Sequence, residues 1–96
     1  MARGSMLTVF SYDISSNRNR RRAARLLEDV ASRVQLSVFE AQMTKRQADH
    51  TIRHLLPFLD RGDSLRVYVV AANGLRRSQV HGDTVPFEPE GDFWLV

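Results

Sequence analysis

Cysteine is absent from this chain, which excludes a disulfide-stapled scaffold and any thiolate metal centre. No apolar run approaches the roughly 20 residues needed to cross a bilayer, and nothing has the layout of a signal peptide. The expected location is therefore cytoplasmic, with no membrane partner. Internal repeats, low-complexity tracts and linkers are missing as well, so the 96 residues read as one domain. A chain this short buries only about 60–70% of its unfolded surface, and pairing with a second copy would extend its modest core. Met1 to Ser5 read as an expression remnant ahead of a natural start at Met6, leaving 6–96 as the domain.

Basic residues are lacking in one region only. Residues 1–82 hold all 14 Lys and Arg against seven of the 11 acids, whereas Asp83, Glu88, Glu90 and Asp92 lie in a tail with no base. A cationic body attracts polyanions through their phosphates, independently of sequence. From Asn17 on, Ala23, Leu26, Leu27, Val30 and Val34 recur at helical spacing, with Arg18, Arg21, Arg22 and Arg25 largely on the other side. An amphipathic helix with a basic face is predicted. Residues 34–43 alternate as extended chain, either one long strand or two short ones with a bend near Ser37 to Glu40. Thr44 and Gln47 form a capping-box signature ahead of the stripe Ala48, Ile52, Leu55 and Leu59, and Pro57 should kink or end that helix near Leu56.

Leu65 to Ala72 is apolar and rich in Val, as in a strand buried on both faces, and Asn73-Gly74 is expected to turn the chain after it. The terminal Phe93-Trp94-Leu95-Val96 needs a docking surface. Two helices interleaved with strands predict an α+β domain with both helices on one sheet face. The other face also carries residues to bury, so a two-fold homodimer is expected.

The run Leu7 to Phe10 leads into Tyr12-Asp13-Ile14, which sets Asp13 where a strand gives way to the Arg-rich helix. A carboxylate at a strand end beside arginines suits a nucleic-acid site. The same Asp13 could instead accept backbone hydrogen bonds in the turn. Tyr12 and Phe39 read as core or dimer packing, with the Tyr12 hydroxyl able to orient a site, and Ser37 and Glu40 as partners of a strand irregularity. His50 and His54, four apart, could hold a metal from one helix, although Thr51 stands where a zincin motif has Glu.

These residues resemble a family, the small CRISPR-associated Cas-two proteins of spacer acquisition. The matching blocks are Tyr12-Asp13-Ile14, Arg20 and Arg22, Arg33-Val34-Gln35 leading into Ser37-Val38-Phe39-Glu40, and Asp63-Ser64-Leu65-Arg66-Val67-Tyr68. The resemblance covers about residues 6–72. It implies a ferredoxin-like βαββαβ fold with an additional C-terminal strand exchanged within a homodimer. It also implies a divalent-metal endonuclease acting on single-stranded RNA or double-stranded DNA. By analogy Asp13 is the metal ligand, with Tyr12, Arg20, Arg22, Arg33 and Phe39 lining the site or the nucleic acid.

Mg²⁺, with Mn²⁺ as a substitute, is commonly held by one or two carboxylates and several waters. Two copies of Asp13 near a dimer axis would supply both carboxylates. Three functions fit: a metal-dependent endonuclease of CRISPR spacer acquisition, a non-catalytic adaptor bridging the CRISPR integrase, or a ferredoxin-like nucleic-acid-binding module. The third lacks the aromatic-rich central strand by which RNA-recognition sheets stack bases.

Overall fold

A computed structural model describes residues 4–82. Strand β1 (Met6–Asp13) is followed by helix α1 (Asn17–Glu28), the hairpin of β2 (Ser32–Gln35) and β3 (Val38–Met43), helix α2 (Lys45–Leu55), strand β4 (Ser64–Val70) and the short helix α3 (Ala72–Arg76). The strands pair in the order β2-β3-β1-β4, with each neighbouring pair antiparallel. This is the ferredoxin-like βαββαβ arrangement, in which two split βαβ units interlock around β1 and β3.

The alternation of β1 decides which face is buried. Thr8, Phe10 and Tyr12 are buried, whereas Val9 and Ser11 between them are half-buried and Asp13 is exposed. Phe10 lies opposite Phe39 on one side and Val67 on the other, so three strands present apolar groups to the same layer. Phe10, Phe39 and Leu27 are completely enclosed, in a cluster with Ala23, Ala24, Met43, Ala48 and Leu55 from the two long helices and β3. Alanine at 23 and 24 keeps that face of α1 free of bulk where it meets the sheet. The basic residues Arg21, Arg22 and Arg25 are left exposed.

Local signals set the helix ends. Ser16 caps α1 by accepting from the Asn19 N–H at 3.1 Å. Thr44 and Gln47 close a reciprocal capping box at the start of α2. Pro57 falls within a 3-10 turn, Leu56–Phe58, directly after α2 ends, because its ring cannot continue the α-helical ladder.

Of the two readings left open for residues 34–43, the structure adopts two strands, with the irregularity in β2 between Arg33 and Gln35. Three expectations require correction. The apolar stripe of the first helix ends at Leu27, and Val30 and Val34 lie beyond it, 46% and 38% exposed. The N–H groups of Val30 and Ala31 both return to the Leu27 carbonyl, which closes the helix before Val30 can join the stripe. Asn73-Gly74 sits inside α3, where the Asn73 Oδ1 accepts from the Gly74 N–H.

Strand β4 is not buried on both faces. Tyr68 and Val69 are 52% and 54% exposed, because among the described residues β4 is an edge strand. The expected C-terminal strand, Phe93 to Val96, and the acidic tail lie outside the described residues.

Candidate functional site

Asp13 is the last residue of β1 and stands opposite Ser64 at the start of β4. Its carboxylate is exposed, while Tyr12 and Ile14 on either side of it are buried. The chain therefore anchors both neighbours in the core and offers Asp13 to solvent. A cavity of about 340 Å³ opens here, lined by Tyr12, Asp13, Ile14, Arg20, Arg21, Ala24, Arg33, Leu36 and Ser37. Four separate segments meet in it: the β1 end, the middle of α1, β2 and the β2–β3 turn.

Hydrogen bonds fix most of these groups. The Tyr12 N–H donates to the Ser37 carbonyl at 3.1 Å, and its hydroxyl donates to the Leu36 carbonyl at 3.4 Å. Tyr12 thereby pins the β2–β3 turn at two points, and its ring stacks on Phe39 with centroids 6.3 Å apart. Arg20 donates to the Ile14 carbonyl at 2.8 Å, to the Ser15 carbonyl at 3.4 Å and to the Asn17 side chain. The guanidinium of Arg33 lies 5.0 Å from the centre of the Phe39 ring, with Glu28 at 3.6 Å. A cation over an aromatic face is held by the ring quadrupole, so Arg33 is steadied on the core while its charge stays at the surface.

Phe39 itself is completely buried. The expected nucleic-acid contact of Phe39 is thus corrected: its ring cannot reach a ligand, and its part is to carry Tyr12 and Arg33. The predicted arginines also divide. Arg20, Arg21 and Arg33 share the cavity with Asp13, whereas Arg22 and Arg25 line a separate open groove of about 520 Å³ with Leu26, Asp29 and Phe58. Arg18 is exposed at the start of α1. A helix turns about 100° per residue, so adjacent arginines cannot all face one site.

Among the described residues no three His, Asp or Glu side chains converge as a metal-binding group. Asp13 is one hard oxygen donor, which suits Mg²⁺ but leaves room for a second carboxylate. The His50 and His54 rings lie tilted to one another with centres 4.3 Å apart, and a ring nitrogen of His54 faces the His50 carbonyl at 2.9 Å. The pair lies on the exposed side of α2, apart from Asp13.

Sequence reasoning missed Leu36 and Ser15 at this end of the sheet, and it held Asp63 only as the first residue of a family block, without its tie to Ser15. Leu36 is 79% exposed at the cavity rim. Asp63 accepts from both the N–H and the hydroxyl of Ser15, at 3.1 and 3.0 Å, and from the Asp60 N–H at 2.8 Å. The Asp60 N–H first, then those of Ser15, hold its carboxyl below the usual aspartate range. Glu40 differs: half-buried on β3, its carboxyl is pushed up by loss of solvent. Gly62-Asp63 is a local turn signal, and nothing in it points to Ser15.

Residues 6–78 match the family model described as CRISPR associated protein Cas2. The chain is 33% identical over 94 residues to the CRISPR-associated endoribonuclease Cas2 1 of Chloroflexus aurantiacus, covering 95% of this chain and all of that one. Its fold is similar to the crystal structure of Streptococcus pyogenes Cas2 at pH 6.5, with a TM-score of 0.68 and 30% identity across 80% of this chain and all of the other. It is also similar to a chain of a partial Cas6-RT-Cas1–Cas2 complex, at a TM-score of 0.62 and 25% identity, covering 78% of this chain and 83% of that one.

Proposed function

The chain belongs to the family of CRISPR associated protein Cas2, and we propose that it is a divalent-metal-dependent endonuclease of CRISPR spacer acquisition, acting as a cytoplasmic homodimer. The observation that carries this reading is the convergence of Asp13 with Arg20, Arg21 and Arg33 on one cavity. A phosphodiester needs its charge neutralised and a nucleophile delivered in line, and guanidinium groups with a metal-binding carboxylate are suited to the first task. The relative in Chloroflexus aurantiacus is named an endoribonuclease, which supports phosphodiester cleavage as the chemistry.

Asp13 would hold the metal, Mg²⁺ or Mn²⁺, with a second Asp13 from the partner copy completing the donor set. When bound, the metal supplies a Lewis acid and lowers the pKa of a water. The chain's own residues do the rest: Arg20 and Tyr12 fix the loops around Asp13, and Arg21 and Arg33 draw in the phosphate. Arg18, Arg22 and Arg25 on the outer surface of α1 extend the charge along a bound RNA or DNA. The exposed Tyr68 and Val69 of β4 and the half-buried sheet face around Glu40 supply the homodimer surface.

A second reading rests on the likeness to the Cas2 of a complex that includes Cas1. In it the same dimer is an adaptor that holds the integrase, and Asp13 is dispensable. One experiment separates the two. Purified wild type and Asp13→Asn are incubated with single-stranded RNA and with duplex DNA, with Mg²⁺ and with chelator. Cleavage that needs both Mg²⁺ and Asp13 supports the enzyme, and undiminished cleavage by Asp13→Asn removes Asp13 from it. Absence of any metal-dependent cleavage by wild type, with integrase binding intact, leaves the adaptor.

A further inference from the structure

We propose that Asp63 is a positioning residue for Asp13, acting through Ser15 to fix the end of β1 on which the metal ligand stands. The inference rests on the reading of Asp13 as that ligand. Asp63 immediately precedes Ser64, which lies opposite Asp13 in the β1–β4 register. Its Oδ1 accepts from the Ser15 N–H and the Ser15 hydroxyl, two residues beyond Asp13.

The clamp is rigid because Asp63 is itself held. Its N–H donates to the Asp60 carbonyl at 3.0 Å and its Oδ2 accepts from the Asp60 N–H at 2.8 Å. Gly62 permits that tight turn with a φ of 89°, in the left-handed region that other residues rarely adopt. On the opposite side, Arg20 holds the Ile14 and Ser15 carbonyls. The segment following Asp13 is thus caught between a carboxylate from the β4 side and a guanidinium from α1. A second strut runs parallel, from the Asn19 side chain to Asp60 at 3.3 Å.

A turn of residues 60–63 would need only the Asp60 half of these bonds. The Ser15 half spans 48 residues and gives the turn nothing, whereas it gives Asp13 a fixed backbone. Removing a group that orients a metal ligand typically weakens metal binding about 10–100-fold. Asn at 63 keeps an oxygen for Ser15 but presents an amide N–H₂ to the Asp60 N–H, and Ala keeps neither.

The test uses full-length protein, with Mn²⁺ binding followed by electron paramagnetic resonance and hydrogen exchange followed at the Ser15 amide. Asp63→Ala is expected to speed Ser15 exchange and to weaken Mn²⁺ binding about tenfold. Asp63→Asn should restore both to near wild type, although a turn defect alone would persist in it. Should Asp63→Ala not fold, Ser15→Ala takes its place, and weaker Mn²⁺ binding together with faster exchange at the Ser15 amide supports the clamp. Unchanged Mn²⁺ affinity in the clamp variants, with Asp13→Asn clearly weakened, overturns this inference alone. Equal Mn²⁺ affinity in wild type and Asp13→Asn overturns the Asp13 reading and this one with it.

Discussion

Asp63 and Glu40 lie at the same sheet, and their surroundings drive their carboxyls in opposite directions. Asp63 is at the loop end, where backbone N–H groups from Asp60 and Ser15 stabilise the ionised form. Glu40 is in β3, opposite Val9 in register and alternating with the enclosed Phe39, and partial burial disfavours its charge. The Asp63 carboxylate is therefore satisfied by groups of its own chain. The sheet face around Glu40 is half-shielded from water and, among the described residues, gives its carboxyl no ion-pair partner. One region is built to hold charge and the other to lose solvent.

Removing the layer beneath both regions should have the largest effect. Phe39→Ala deletes a fully enclosed ring that also carries Tyr12 and Arg33. A destabilisation of about 3–5 kcal/mol is expected in urea unfolding. A loss under about 1 kcal/mol would show that neither region depends on this core.

The loop end can be loosened alone. Ser16→Ala removes the cap of α1 and should cost about 1 kcal/mol, with faster exchange at the Asn19 amide. Unaltered exchange there would mean that the Asp63 and Arg20 clamps suffice without the cap.

The two carboxyls also predict opposite pH responses. Because the Asp63 pKa is lowered in the folded state, its contribution is present above the unfolded value of about 3.9 and is lost as pH falls through the folded value. Because the Glu40 pKa is raised, its contribution is present below the unfolded value of about 4.3 and is lost as pH rises through the elevated value. Glu40→Gln should accordingly flatten the fall in melting temperature on the rising side, and Asp63→Asn the loss on the acid side. Parallel melting curves against pH for wild type and Glu40→Gln would remove the contrast.

The smallest expected change is in binding. Replacing Arg18, Arg22 and Arg25 by Ala should reduce the magnitude of the salt-dependence slope by about 0.7 for each phosphate no longer neutralised on a single strand, or about 0.9 on duplex DNA. A slope that does not move would leave the outer surface of α1 solvated only.

Much of this architecture could be read locally. The Thr44 and Gln47 box, Pro57 at the end of α2, the alternation through Phe10 and Tyr12, and Asp13 at a strand end all depend on neighbours a few residues away. Propensity, capping and periodicity act at that range. The family blocks added the expectation that Asp13, Arg20 and Arg33 belong together, and the cavity brings all three to one place.

Other features were decided only when the chain closed on itself. The register of β1 against β4 brings Asp63 to Ser15, across a separation that no local pattern encodes. The angular phase of α1 against the sheet sends Arg20 and Arg21 to Asp13 and Arg22 and Arg25 to another groove. The edge position of β4 exposes Tyr68 and Val69, although their composition suits a buried strand. The physical reason is common to all three. Composition and spacing specify what an element can bury, and only its position among the other elements specifies what is there to bury it.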